Sequence, residues 1–520
     1  WQRKPRRILN ASKKHLMEQS FHGLTKPWPQ ENQFFAGIQQ SKTGTSWGPG
    51  RIPFRRVHFI SKLRTGGVHM YDVIVLGGGP GGNKAAELAA RNGLKTVMIE
   101  KARLGGTCLN RGCIPTKAYF ARIIGGHGTI EEMWNHKEQI VEKLNSGIST
   151  LMKMSGVEVV LGTGKIISTG ETKIVEVQTS EGIRQIEGKN LIIATGARSL
   201  AMEFEGADLP GIITGDYAVT YPELWKYPDC EEVKSVAVIG AGVIAVELAV
   251  LLRRMGKEVT ILKHSDQVLR RADKDVKKKL IQSLKKMKIA MVDYFAPEKA
   301  LLEGEQIKVC GTTPKGAVDI NCDRLILASS MIPILDGYGL EDSAIEYSKK
   351  GIKVDKHMET NVPGVYAIGD VTGGMMLAHL AEYHGLSAIE HILGREYIIN
   401  PDHVPWCVFC DPEIAVAGIT EDEAEARNIS VKVARAYFLG NGMAQALNNT
   451  DGFVKVVASQ EDNRLLGVHI IGPEASSLIG EAALAVAQGM KAKDVARTIH
   501  PHPTLTECFK DALFRLEEDS

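Results

Sequence analysis

The chain of 520 residues has the length of about three ordinary domains. Its 44% hydrophobic and 24% charged residues exclude a disordered, collagen-like or coiled-coil chain over most of its length. The net charge of +2 hides an asymmetry. Residues 1–69 hold 13 bases and two acids (+11), and the rest hold 50 bases and 59 acids (−9), a mildly acidic body that argues against nucleic acid as a partner.

The basic, acid-poor stretch 1–69 has the composition of a transit peptide, yet Pro27, Pro29, Pro49 and Pro53 interrupt any long amphipathic helix. A globular pattern begins at Met70. The first expectation is therefore a functional start at Met70 and a cytoplasmic protein; the alternative is an organelle-targeting segment, mitochondrial or other. No run reaches the roughly 18 uninterrupted apolar residues of a membrane span. Eight Cys in a chain of this length do not make a disulfide scaffold.

From Asp72 a buried strand, Val73-Ile74-Val75-Leu76, runs into a glycine-rich turn and an alanine-rich helix. Gly77, Gly79 and Gly82 fit G-x-G-x-x-G: the first for the tight turn, the second for close approach to a pyrophosphate, the third for helix–strand packing. The helix N-terminus adds the positive end of its dipole. A second strand ends in Glu100, 18 residues past Gly82, where a carboxylate can accept hydrogen bonds from a ribose hydroxyl. Alone, such glycines often only turn a chain; the strand, helix and acid together point to a dinucleotide site.

Next come Cys108 and Cys113, five apart, in Gly105-Gly106-Thr107-Cys108-Leu109-Asn110-Arg111-Gly112-Cys113-Ile114-Pro115-Thr116-Lys117. On an ideal helix about 7.5 Å of rise separates them, more than a disulfide's usual Cα separation. Gly112 and Pro115 are the residues that would let the chain distort at a helix start, where a thiolate is favoured. Zinc is the rival and needs a second ligand pair. Cys407 and Cys410 are the only candidates, and they read as core packing, so no metal is expected.

The glycine turn recurs 163 residues on as Gly240-Ala241-Gly242 with Ala245 in the third place, between the strand Val236–Ile239 and a helix leading to Glu258–Leu262. Two dinucleotide sites suggest electron transfer between two cofactors. Here the position 18 past Ala245 is Lys263, not an acid. With Arg270 and Arg271 it leans toward NADP over NAD, because a cation can pair a 2′-phosphate; otherwise Lys263 merely ends its strand in solvent. The run Lys277 to Lys288 has helical spacing and reads as a solvated face.

The segment Gly105–Lys117 resembles the redox-active segment of the flavin-dependent pyridine nucleotide–disulfide oxidoreductases, closest to their dihydrolipoamide dehydrogenase branch, and the similarity runs from Met70 to about Leu516. Ala194-Thr195-Gly196 resembles a second flavin contact, as do Thr107 and Gly164. Gly364 to Asp370 resembles the segment whose Asp binds the ribityl chain, followed by Met376-Leu377-Ala378-His379. Pro412-Glu413 opens a dimerisation domain, and His500 to Glu507 resembles the catalytic C-terminal motif. The resemblance implies FAD and NAD or NADP as cofactors and an obligate homodimer. It further implies Cys108 as the interchange thiol, Cys113 as the thiol against the flavin, and Lys117 paired with Glu247. A dithiol must be deprotonated to attack a disulfide. His502 suits that task, with Glu507 to orient and charge-stabilise it. In the family this motif reaches the cysteines of the other subunit.

The expected fold is α/β, with two Rossmann-like dinucleotide-binding domains, for FAD at 70–215 and NAD(P) at 216–335. A central segment, 336–400, completes the flavin site, and an α+β dimerisation domain follows at 401–520. The expected activity is oxidation of dihydrolipoamide on the lipoyl domain of a 2-oxo acid dehydrogenase complex, or on a glycine cleavage carrier, with hydride passed to NAD(P). A glutathione-type disulfide reductase is the alternative. So is a flavin-binding scaffold, because Ser330-Met331 stands where relatives carry Gly-Arg.

Overall fold

The computed structural model describes residues 70–124, 129–226 and 228–518. The expectations for residues 1–69 lie outside the described residues.

The first unit opens with β1 (Tyr71–Leu76), α1 (Pro80–Arg91) and β2 (Thr96–Glu100). Helices α2 (Gly106–Arg111), α3 (Cys113–Ile124) and α4 (Ile130–Ser155) follow, then β3 (Glu158–Leu161), β4 (Thr163–Thr169), β5 (Lys173–Thr179) and β6 (Gly182–Ile193). The sheet order is β3-β2-β1-β6-β5-β4, parallel from β3 to β6 and antiparallel beyond. Val73 to Leu76 are apolar without alternation because β1 is central and covered on both faces.

The chain leaves through β7 (Ala197–Ser199) and returns through β16 (Met331–Pro333), and these two pair antiparallel. Between them lies the second unit. It holds β8 (Ile212–Thr214), the short helices α5 (Gly215–Ala218), α6 (Pro222–Trp225) and α7 (Asp229–Glu232), then β9 (Ser235–Ile239), α8 (Val243–Arg254), β10 (Glu258–Leu262), α9 (Lys274–Lys286) and β11 (Ala290–Val292). A three-stranded antiparallel sheet, β12 (Ala296–Glu303), β13 (Gln306–Thr313) and β14 (Gly316–Cys322), leads to β15 (Arg324–Leu327). The parallel sheet has the order β11-β10-β9-β15-β8.

After β16, the hairpin β17 (Tyr347–Ser348) and β18 (Gly351–Ile352) precedes β19 (Val365–Ala367), which adds parallel to β6. Helix α10 (Ala378–Ile392) then packs on α1: a Cβ on Gly81 would stand 2.8 Å from the Ala381 carbonyl oxygen. Residues 336–392 thus return to the first unit. The C-terminal unit is an antiparallel sheet of β20 (Trp406–Val408), β21 (Glu413–Gly418), β22 (Val431–Tyr437), β23 (Phe453–Ser459) and β24 (Leu465–Gly472), in the order β20-β21-β24-β23-β22. With it run α11 (Glu421–Ala426), α12 (Gly442–Ala446), α13 (Ala475–Ala487), α14 (Ala492–Ala496) and α15 (Glu507–Glu518). One face of this sheet builds its own core with α13, α14 and α15. The other joins the core of the second unit, where Phe453 and Ile471 cluster with Val276 and Leu280 of α9. Among the described residues no helix is long and apolar enough to cross a membrane.

Candidate redox site

The two glycine turns share their backbone geometry at the first two glycines. Gly77 and Gly240 both have positive φ, 114° and 126°, and a Cβ would stand 2.3 Å from the Ala194 carbonyl oxygen in the first and 2.2 Å from that of Ala328 in the second. Gly79 and Gly242 face open space, with nothing within 4 Å of a Cβ. At Gly82 a Cβ would lie 1.9 Å from the Gly77 carbonyl oxygen; Ala245 fills the matching place, fully buried. Helices α1 and α8 begin at Gly79 and Gly242 with no side-chain cap, whereas α4 and α11 each carry a full capping box. Uncapped N–H groups at a glycine turn are those that bind phosphate. Both turns open into one cavity of about 1300 Å³, larger than the roughly 300–1,000 Å³ of a single small-molecule site.

Glu100 ends β2 at the cavity. Its Oε2 accepts the Gly78 N–H at 2.7 Å and its Oε1 the Ala102 N–H at 2.8 Å, leaving further lone pairs for a ribose. Thr107, Gly164, Thr195, Gly196, Asp370 and Ala378 line the same cavity. Thr195 Oγ1 donates to the Ile334 carbonyl at 3.2 Å, and Gly196 leaves open space at a φ of 76°. Burial pushes the Asp370 carboxyl up to about 6, which a hydroxyl-bearing ligand that hydrogen-bonds the charged form would reverse.

Cys108 lies within α2 and Cys113 opens α3, with Gly112 between them outside helical geometry (φ −132°, ψ −109°). That break replaces the rise of a continuous helix and leaves the two sulfurs near enough to perturb each other's titration. The two titrate in opposite directions. The hydrogen bond to Cys113 and burial push Cys108 up, while the hydrogen bond from Cys108 and the Lys117 ammonium bring down Cys113, which is exposed to the cavity. Of the two thiols, Cys113 is the one more readily ionised. One turn on, Lys117 Nζ pairs with Glu247 of α8 at 2.9 and 3.1 Å and lies 4.1 Å from the centre of the Phe409 ring. Burial pushes the Glu247 carboxyl up against the pull of Lys117 and of the Phe409 N–H, which it accepts at 3.0 Å.

His502 and Glu507 line no part of this cavity. The imidazole is exposed, at 75% for its side chain, with Nδ1 3.0 and 3.1 Å from the Glu507 oxygens. The Thr504 N–H, His502 and Lys510 hold the Glu507 carboxyl down to about 2. An ionised acceptor places the proton of a neutral imidazole on Nδ1 and leaves Nε2 a free base.

Residues 71–385 match the family described as pyridine nucleotide-disulphide oxidoreductase, and residues 404–513 match its dimerisation domain. The dihydrolipoyl dehydrogenase of Bacillus subtilis is 34% identical over 467 residues, covering 85% of this chain and 97% of that protein. Leghemoglobin reductase of Glycine max is 35% identical, covering 85% and 86%. The solved structure of LpdA from Mycobacterium tuberculosis has the same fold at a TM-score of 0.79 and 24% identity, over 86% of this chain and 99% of that one. The chain belongs to the pyridine nucleotide–disulphide oxidoreductases. It is an oxidoreductase of a family that uses FAD and NAD(P), and it carries that family's dimerisation domain.

On the nucleotide side, the residues singled out from the sequence fall in different places. Lys263 is neither at the cavity nor in solvent. It is 3% exposed, with Nζ 2.8 Å from Asp293 Oδ1 and 2.6 Å from the Asp266 carbonyl, because β10 and β11 run side by side and bring Asp293 beneath it. Arg270 and Arg271, both exposed, do line the cavity. Ser330 and Met331 line it too without supplying a cation, and Met331 pairs with Ser199 across the β7–β16 neck.

Sequence reasoning took Cys407 and Cys410 together. Cys410 is buried, but Cys407 lines the cavity, where burial pushes its thiol up to about 11. Opposite faces for residues three apart on a strand were the available signal. Of the basic run expected as a solvated face, Lys278, Lys285, Lys286 and Lys288 are exposed, and Lys279 pairs with Asp451. Reasoning from sequence missed Arg111 altogether. It lies over the Tyr217 ring, donates to its hydroxyl at 2.8 Å and lines the cavity between the cysteines. Among the described residues no group of three or more His, Cys, Asp or Glu forms a metal site.

Proposed function

We propose that this chain oxidises dihydrolipoamide carried on a lipoyl domain, in the manner its dihydrolipoyl dehydrogenase relatives' name describes, with NADP as the preferred nucleotide. The observation that carries the thiol chemistry is the placement of Cys108 and Cys113 on either side of the Gly112 break, at one cavity with the Lys117–Glu247 pair.

In the disulfide form of the pair, His502 of the partner subunit takes a proton from one substrate thiol at Nε2, with the Glu507 carboxylate holding Nδ1–H and balancing the charge that forms. The substrate thiolate attacks the Cys108 sulfur, the Cys108–Cys113 bond breaks, and Cys113 leaves as the thiolate that Lys117 favours. The second substrate thiol attacks the substrate sulfur bonded to Cys108, and its proton passes to the Cys108 sulfur as that sulfur leaves. That step releases the cyclic disulfide, with Cys108 a thiol, Cys113 a thiolate and the first proton on His502. The first glycine turn, Gly77, Gly79 and Gly82, with Glu100, Thr107, Gly164, Thr195, Gly196, Asp370 and Ala378, would hold FAD, which when bound supplies the two-electron carrier between thiols and nicotinamide. Gly240 and Gly242 would receive the nucleotide's pyrophosphate. The exposed Arg270 and Arg271, and not the buried Lys263, would meet a 2′-phosphate.

Steady-state assays of the FAD-loaded dimer test this reading. Dihydrolipoamide should turn over with a kcat/KM for NADP at least tenfold that for NAD. Reduction of glutathione disulfide by NADPH without oxidation of dihydrolipoamide would overturn it.

A further inference from the structure

The loop that bears Arg270 and Arg271 is fastened at both ends. On its N-terminal side Leu269 is buried with a φ of 45°, a left-handed conformation uncommon for a branched side chain, and its N–H donates to the Ala241 carbonyl at 2.9 Å. The loop thus lies on the second glycine turn itself. On its C-terminal side, two residues past Arg271, Asp273 caps α9 by accepting the Asp275 N–H at 2.9 Å. Asp273 is fully buried, and its partner comes from another unit: Lys455 of β23, 182 residues away and also fully buried.

Lys455 Nζ stands 2.7 and 2.9 Å from the two Asp273 oxygens, 2.8 Å from Asp275 Oδ2 and 2.8 Å from Glu421 Oε2. Arg435, opposite Lys455 on β22, donates to Asp275, and Lys274 reaches Glu421 Oε1 at 3.1 Å. Three cations thus face three carboxylates at the junction of α9 with the C-terminal sheet. The surrounding contact of Phe453 and Ile471 with Val276 and Leu280 is apolar and non-directional. Apolar contact holds the two units together but leaves their register loose, whereas an ammonium that must meet three carboxylates admits one placement. The element so placed is the start of α9, at most about 8 Å of chain from Arg271.

We propose that Lys455 is a positioning residue for nucleotide recognition: from the dimerisation unit it fixes the end of the Arg270–Arg271 loop and so holds the site for the phosphate-bearing adenosine end of the nucleotide. The inference rests on the reading of that loop given above, and it ties nucleotide affinity to the unit that matches the dimerisation domain.

The test is calorimetric titration of NADP into the FAD-loaded dimer, alongside the rate at which a dithiol reduces an artificial acceptor. Lys455→Met should raise the Kd for NADP at least tenfold and leave the dithiol-driven rate within twofold. Lys455→Arg, which keeps the charge, should stay within threefold of wild type. Glu421→Gln leaves Asp273 and Asp275 in place and should raise Kd about threefold; it decides the matter if Lys455→Met does not fold with full flavin content. A Kd within twofold of wild type in Lys455→Met, or in Glu421→Gln where that variant decides, overturns the inference, as does an equal loss in the dithiol-driven rate. An Arg270→Ala, Arg271→Ala double variant separates the two failures. If it binds NADP like wild type, the loop reading falls and the inference with it. If it binds weakly while the Lys455 and Glu421 variants bind normally, the inference alone falls.

Discussion

Lys117 illustrates how one side chain serves fold and chemistry together. It lowers Cys113 and neutralises Glu247, a carboxylate that burial alone pushes upward. Replacing it by Met leaves Glu247 buried with only the Phe409 N–H, a change of the kind that costs about 3–5 kcal/mol. The cost depends on pH in a defined direction. A carboxyl raised above its unfolded value contributes stability that is present at low pH and lost as pH rises through its folded value. Urea unfolding of Lys117→Met should therefore show the larger loss at pH 8 and a smaller one at pH 5, where Glu247 can take up a proton. An equal loss at both would show that Glu247 is not the group left stranded. Lys263 makes the complementary point. The sequence places a cation at the end of a second Rossmann strand, where a nucleotide is expected, but gives no sign of Asp293, thirty residues later, which neighbouring strands bring beneath it.

At the scale of an element, the strand–turn–helix units were readable almost to the residue. Val73–Leu76 and Val236–Ile239 were expected as strands and lie within β1 and β9; the expected helices are α1 and α8. Their signals are local: apolar runs, glycines at fixed offsets and uncapped helix starts. The same turns yield a contrast between two substitutions of one type. Gly79→Ala adds a methyl where nothing stands within 4 Å, so folding should be preserved within about 1 kcal/mol while FAD affinity falls, because the methyl enters the cradle. Gly82→Ala puts its methyl 1.9 Å from the Gly77 carbonyl oxygen and must push helix from strand, so it should cost stability as well, by about 1–3 kcal/mol. Denaturant midpoints and flavin content of the two purified variants check both expectations. Equal stability losses would contradict the distinct roles assigned to the two glycines. The hairpin sheet β12–β14 and the helix break at Gly112 were less legible. The hairpin has no motif to mark it, and Gly112 announces freedom without saying which way the chain will turn.

At the scale of the whole molecule, legibility follows sequence separation. The pairing of Lys117 with Glu247, 130 residues apart, was expected only because the chain resembles a family. The Lys455 cluster, which no motif announces, was not expected at all. Nor does one chain bring every proposed part together. Cys108, Cys113 and Lys117 share the cavity, while His502 and Glu507 stand outside it, on the unit that matches the dimerisation domain. In a twofold dimer each cavity would take its base from the other subunit. Subunit mixing tests this most directly. Cys108→Ser and His502→Gln homodimers, each inactive in dihydrolipoamide oxidation, are unfolded together, refolded with FAD and assayed. Random reassortment makes half of the dimers mixed, each with one intact site, so activity should return to about a quarter of that of wild type treated alike. No recovery, in a mixture shown by mass to contain mixed dimers, would contradict a cysteine pair served by the partner's imidazole.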